Sequence, residues 1–136
     1  MLIEQLVAIV GPANVLTGEQ VSARAVGWAD RRPCQAQAIV RPGSTDEVAR
    51  VLALCHAAGQ PVVTFGGLTG LVRGSVAAAN EIALSLERMH RIEAIDPVGR
   101  TELGSFGGFG AGPGAIASGG SDRLFVSSPT EGVMVF

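Results

Sequence analysis

The chain has 136 residues, 47% of them hydrophobic, and a net charge of −2. That length suits one modest domain with a packed core, and the small negative charge gives no electrostatic case for nucleic acid. No apolar run reaches the roughly 18 residues of a membrane span, so no transmembrane segment is expected; residues 1–10 carry Glu4 and lack a basic start, which argues against a secretory signal.

Leu2, Leu6, Ile9 and Val10 recur at helical spacing, so residues 1–10 are predicted as a short amphipathic helix. Gly11-Pro12 ends it. Residues 14–32 mix Gly, Thr, Ser, Asp and Arg around the single Trp28 and read as loop with short elements. Residues 36–41 are predicted as a strand that meets the turn signal Pro42-Gly43. The clearest helix start follows. Ser44 can accept from the N–H of Glu47 while Glu47 reaches back to the N–H of Ser44, a capping box, and Asp46 and Glu47 suit the positive helix end. Val48, Val51, Leu52, Cys55 and Ala58 then form one stripe to be buried, and Gly59 is the left-handed stop.

Residues 61–64 are β-branched and nearly all apolar, as in a strand covered on both faces. Strand, helix and strand within about thirty residues make a βαβ unit, whose strands are expected to be parallel. Residues 82–86 read as another strand, 87–91 as a turn, and 92–95 as a further strand before Asp96-Pro97. From Thr101 the character changes: residues 104–120 hold eight glycines and no periodicity, so no regular structure is assigned there. Short strands are expected at 124–126 and 133–136.

The two cysteines, Cys34 and Cys55, imply a reducing, cytoplasmic setting without a disulfide framework. Cys55 falls on the apolar helix stripe; Cys34 lies in a loop with no base beside it. Together with His56 and His90 they do not supply the ligand spacing of a metal site, so no metal is assigned. His56 and His90 read as surface or structural histidines.

The chemistry concentrates at Phe65-Gly66-Gly67-Leu68-Thr69-Gly70-Leu71-Val72-Arg73-Gly74, directly after the strand at 61–64. Glycines allow close backbone approach and positive φ, and successive N–H groups can form a nest for an anion. Thr69 adds a hydroxyl and Arg73 the only nearby cation. All ten basic residues are Arg, so a P-loop lysine is excluded. A dinucleotide fingerprint at Gly112-Pro113-Gly114 lacks a clear preceding strand. On spacing alone, a tight surface turn remains an equal reading of the loop.

The pieces on either side of the loop carry a family resemblance. In order they are Ile39-Val40-Arg41-Pro42, Ser44-Thr45-Asp46-Glu47-Val48, Leu54-Cys55 and Gly59-Gln60-Pro61-Val62-Val63. The glycine run and Leu84-Ser85-Leu86-Glu87-Arg88-Met89 follow. Over residues 38–96 this order resembles the start of the flavin-binding domain of the FAD-linked oxidase family, the vanillyl-alcohol-oxidase or PCMH type. The nearest branch contains D-lactate dehydrogenase, the glycolate oxidase flavin subunit and D-2-hydroxyglutarate dehydrogenase. This chain departs from the family pattern at Thr64 and Phe65, where the family has Pro and a polar residue. It departs again at Leu68, in place of Asn, and at Arg73-Gly74, in place of a glycine pair.

The resemblance implies an α/β (α+β) fold: the first subdomain of a PCMH-type FAD-binding domain, with a small βαβ sheet, flanking helices and an irregular Gly-rich tail. It divides the chain into a lead-in (1–35), the partial FAD-binding subdomain (36–100) and a divergent tail (101–136). It implies FAD as cofactor, its pyrophosphate held chiefly by the backbone of Gly66, Gly67, Leu68, Thr69, Gly70 and Leu71, with Gly74 and Ser75 as neighbours. Strand 82–86 would lie beside the loop. The implied activity is FAD-dependent oxidation of a small-molecule 2-hydroxy acid. The family's catalytic groups lie beyond the matching region, so no catalytic residue is assigned, and the chain alone is expected to be incomplete and inactive. Residues 101–120 match no family segment, as a locally frame-shifted reading with an early stop would produce. Two alternatives stand beside this: a flavin-binding module completed by a partner chain that supplies the missing half, and a non-catalytic α/β protein.

Overall fold

The computed structural model describes residues 1–90 with their side chains and, beyond them, the backbone of five strands: 92–95, 102–106, 115–118, 124–128 and 132–135. The chain divides into two compact units, Met1–Met89 and His90–Phe136.

In the first unit the amphipathic start folds as predicted. Helix α1 (Leu2–Val10) buries Leu6 and Val10, and Gly11 at φ +86° stops it with its N–H on Val7 O. A 3₁₀ turn (Pro12–Asn14) delivers strand β1 (Val15–Leu16), and a single helical turn α2 (Glu19–Ser22) follows. Strand β2 (Ala38–Val40) occupies the middle of the segment expected to be extended.

Helix α3 (Thr45–Ala57) starts at its predicted cap: Ser44 Oγ accepts from Glu47 N at 3.2 Å. The other half of the box is redirected. Glu47 Oε2 accepts from Gly43 N at 2.7 Å, one residue upstream of the expected partner. The cause is Arg88, whose Nη1 stands 3.7 Å from that carboxylate and donates to Arg41 O at 2.7 Å. Its guanidinium lies so close that a Cβ on Gly43 would sit 2.9 Å from Nη2. The buried stripe is also rotated. Val51 and Cys55 are buried, but Leu52 is 42% exposed and Ala58 is exposed. Leu54 packs on the cluster of Leu6 and Val10 in their place, because α1 lies alongside α3 and turns the apolar face toward itself. Gly59 ends the helix at φ +62°, as expected.

Strands β3 (Val62–Phe65) and β4 (Ile82–Ser85) complete a sheet of order β1-β2-β4-β3. β1 runs antiparallel to β2, and β4 is parallel to both β2 and β3. The βαβ strands are therefore parallel, with β4 inserted between them. This corrects the expectation that residues 61–64 are covered on both faces. β3 is an edge strand with Thr64 exposed, and β4 is the covered one, all four of its residues buried. Period-two alternation sorts the side chains onto two faces. Ala38, Val40, Ile82 and Leu84 join α1 and α3 on one side, while Ile39, Ala83 and Phe65 pack against Val21, Val26, Cys34 and Ala77 on the other.

In the second unit, β5 (Ile92–Ile95) pairs antiparallel with β6 (Glu102–Phe106). β7 (Ala115–Ser118), β8 (Leu124–Ser128) and β9 (Gly132–Val135) form an antiparallel meander. The strands expected near 92–95, 124–126 and 133–136 are present. β6 and β7 intrude on residues 104–120, where no regular structure was assigned. Strand formation is decided by cross-strand partners more than by local propensity, and glycine-rich sequence hides it. Asp96-Pro97 and Gly112-Pro113-Gly114 lie outside the described residues.

Candidate functional site: a glycine loop facing an arginine-bearing turn

The sheet sets the position of the loop. β3 and β4 are in register from Val62↔Ile82 to Phe65↔Ser85, and Leu86 N donates to Phe65 O at 2.9 Å. β4 thus lies beside the point where the glycine run leaves the carboxyl end of β3, the usual side for ligands in open α/β sheets. Residues 66–75 then form an exposed excursion in which only Leu68 and Ser75 are partly buried.

A second excursion meets it. Residues 24–34 fold back on themselves through Cys34 N to Arg24 O (2.7 Å), Val26 N to Arg32 O (3.0 Å) and Gly27 N to Asp30 O (3.1 Å). Its tip carries Trp28, which is 60% exposed and bonds twice to the loop: the backbone N–H to Leu68 O at 3.3 Å and Nε1 to Thr69 O at 3.1 Å. Loop carbonyls are thereby occupied. The N–H groups of residues 66–75, by contrast, donate to no acceptor among the described residues.

All eight residues singled out in the sequence fall on this one excursion, but they do not share one cavity. Gly70, Leu71 and Ser75 line a cleft of about 430 Å³ together with Gly27, Asp30, Arg31, Arg32 and Arg73. Gly66 and Leu68 line a smaller cavity of about 60 Å³ with Arg24, Phe65, Ser85 and Glu87. Gly67, Thr69 and Gly74 line neither. Ser75 Oγ donates to Val26 O at 3.4 Å, tying the far end of the loop to the second excursion.

Two expectations are corrected here. The positive-φ residues of the loop are Leu68 (+55°) and Arg73 (+59°); none of its glycines is in the left-handed region. The turn at Leu68 coincides with the two carbonyls, of Leu68 and Thr69, that accept from Trp28. The glycines instead keep the approach clear: a Cβ at Gly66, Gly70 or Gly74 would meet nothing within 4 Å, and one at Gly67 only Thr69 Cγ2 at 3.9 Å. Nothing in the described chain demands glycine at those positions. Nor is Arg73 the only nearby cation, because Arg31 and Arg32 line the same cleft. Periodicity could not show them. The available signal was an Asp30-Arg31-Arg32 run beside the sole Trp.

The electrostatics divide the site. Asp30 is held down to about 2 by the side-chain hydrogen bond of Arg32, whose Nε stands 2.9 Å from Oδ1. At the smaller cavity, burial pushes the Glu87 carboxyl up, but hydrogen bonds from Arg24 (Nη1 to Oε2, 2.9 Å) and Arg41 (Nη1 to Oε1, 3.0 Å) outweigh it and leave it below the ordinary value. Cys34 and Cys55 are buried free thiols on opposite faces of the sheet, the latter pushed up by burial. His56 and His90 are exposed. Unengaged N–H groups, an open glycine surface and guanidinium groups fit a diphosphate better than any uncharged ligand. No described helix is long and apolar enough to cross a membrane.

The chain is similar to several known proteins. The chain is 42% identical over 74 residues to D-2-hydroxyglutarate dehydrogenase of Xanthomonas citri pv. viticola, covering 54% of this chain and 16% of the relative. It is 32% identical over 103 residues to D-2-hydroxyglutarate dehydrogenase of Stutzerimonas stutzeri, covering 75% of this chain and 22% of the relative. The chain spans less than a quarter of the length of the curated relatives it matches. Among solved structures, alkyldihydroxyacetonephosphate synthase superposes with a TM-score of 0.60 at 19% identity over 70% of this chain and 20% of that one. p-Cresol methylhydroxylase with substrate bound gives 0.54 at 18% over 93% and 21%. These likenesses establish the PCMH-type fold. The family described as FAD binding domain matches residues 36–104, from β2 through the glycine loop to β6. The chain belongs to this FAD binding domain family, and its cofactor is FAD.

Proposed function

We propose that residues 66–75 hold the diphosphate of FAD through their backbone N–H groups, with Gly66, Gly67, Leu68, Thr69, Gly70 and Leu71 as the cradle and Gly74 and Ser75 as its far wall. The carrying observation is the asymmetry of the loop: carbonyls of Leu68 and Thr69 are engaged by Trp28, while no N–H from 66 to 75 finds an acceptor among the described residues. Burying such a surface under an anion satisfies donors that are otherwise met only by water.

FAD supplies a two-electron acceptor when bound. The reading extends to an FAD-dependent oxidoreductase that oxidises a 2-hydroxy acid, supported by relatives named D-2-hydroxyglutarate dehydrogenase. This chain's share is positioning the cofactor, with residues 36–100 as the cofactor subdomain and residues 1–35 completing its sheet and cleft; residues 101–136 follow, and their first strand, β6, pairs with β5. No described residue is assigned a proton-transfer or substrate role, so turnover takes groups from outside the described residues, for which a partner chain is one source. The two buried thiols favour a reducing compartment such as the cytoplasm.

The test is an FAD titration of the full chain. Gly67→Val keeps the N–H but puts a branched side chain in the open approach to it, and should weaken FAD at least tenfold, while His90→Ala leaves it unchanged. Equal FAD affinity of Gly67→Val and the parent would remove the loop from the site. Reduction of the bound flavin by D-2-hydroxyglutarate, followed at its visible absorbance, tests the substrate class.

A further inference from the structure

The cleft between the two excursions carries more positive charge than backbone recognition requires. Arg31, Arg32 and Arg73 line it, with Asp30 as the one carboxylate among its lining residues. Asp30 is already taken. Arg32 Nε stands 2.9 Å from Oδ1 and 3.1 Å from Oδ2, and the Arg32 N–H stands 3.2 Å from Oδ1, so this pair is locally neutral. Arg31 and Arg73 make no ion pair among the described residues and both are exposed, although Asp30 lies near enough to Arg73 for that charge to help hold its carboxyl down.

Their placement adds to this. Arg31 comes from the tip of the 24–34 excursion and Arg73 from the glycine loop, so each lip of the cleft contributes one cation. Arg73 holds φ +59°, a conformation that is costly for any residue with a Cβ. Strain of that kind is retained where the side chain has work to do. Trp28 bonds the two excursions to each other, which fixes the lips at a set separation.

We infer that Arg31 and Arg73 form a two-cation clamp that grips the diphosphate across the cleft, in addition to the loop N–H groups. The clamp rests on the reading of residues 66–75 as a diphosphate cradle and adds a charge term to it. Guanidinium groups recognise phosphate oxygens bidentately. Exposed ones make affinity fall with ionic strength.

The single Trp28 sits on the loop, so its fluorescence reports on occupancy of the cleft. The full chain is titrated with inorganic pyrophosphate, with adenosine as the uncharged control. Pyrophosphate should change Trp28 emission and adenosine should not. Arg31→Gln and Arg73→Gln should each weaken pyrophosphate roughly tenfold, with Arg→Lys at the same positions restoring part of the loss. The clamp is overturned if either Gln variant binds pyrophosphate as tightly as the parent, or if pyrophosphate fails to bind by both fluorescence and equilibrium dialysis. The two readings fail separately. FAD bound through the loop with Arg variants that behave as the parent removes the clamp alone. Arginine-dependent pyrophosphate binding without FAD binding removes the proposed function and leaves the clamp.

Discussion

Strand β4 and the glycine loop lie side by side at the carboxyl end of the sheet and use their backbones in opposite ways. β4 pairs with β2 on one side and β3 on the other, and all four of its residues are buried. The loop leaves the end of β3, exposes nearly every residue, and offers its N–H groups to no acceptor among the described residues. A buried chain segment with donors in that condition would be strongly penalised. The difference teaches where the fold is committed and where it is left open. The frame satisfies itself, and the loop is held in place by what Trp28 does to its carbonyls, so its donors remain available for a ligand.

The contrast breaks first if the frame tolerates damage. Ile82 is fully buried in the cluster that also holds Leu6, Val40, Val51 and Leu84. Ile82→Ala removes those contacts and leaves a cavity, and should cost about 2–5 kcal/mol in denaturant unfolding. A loss below 1 kcal/mol would mean that β4 is not the committed element.

A carboxylate at the end of β4 sharpens the boundary between the two regions. Glu87 accepts from Arg24 of the second excursion and from Arg41 just past β2. Its pKa is lowered, burial opposing and the two arginine hydrogen bonds outweighing it. The folded state therefore binds its proton less readily than the unfolded chain does. The stabilisation is fully present above the ordinary value of 4.5 and drains away as pH falls below that, through the lowered folded value. Glu87 is about a third exposed, so the effect is screened. Glu87→Gln should lose about 1 kcal/mol at neutral pH and flatten the acid side of the stability profile. Thermal melts between neutral and acid pH check this, and an unchanged acid slope in the variant would show that the link between the excursion and the frame is not made by this group.

Much of the frame could be read from local signals. The apolar spacing of α1, the Ser44 cap, the Gly59 stop and the strand at 82–86 all act within a few residues of themselves. What failed depended on partners distant in sequence. The second half of the cap at Ser44 was redirected by Arg88, over forty residues away. The covering of β3 depended on β4 inserting beside it. The site divides the same way. The glycine run is contiguous and stood out, while Trp28, Arg31 and Arg32 reach it from some forty residues upstream through a turn whose bonds no periodicity reveals. Glycines were expected to carry the positive φ values, but they fall on Leu68, whose carbonyl accepts from the Trp28 N–H, and on Arg73.

The smallest effect tests the loop itself. Arg73 occupies φ +59°, and relieving that conformation with glycine gains about 1 kcal/mol. Glycine also frees the unfolded chain, which returns about 0.4–1 kcal/mol. Arg73→Gly should therefore sit within about 0.5 kcal/mol of the parent, slightly above it if the first term is larger. Gly70→Ala is the companion variant: Gly70 is outside the left-handed region and its Cβ would meet nothing within 4 Å, so the unfolded-state term acts alone and raises stability. If the loop is uncommitted to the fold, both changes are mild and additive by denaturant unfolding. If Arg73→Gly loses more than 1 kcal/mol, its side chain is part of what holds the cleft together, and the openness that separates this loop from β4 belongs to the residues before it.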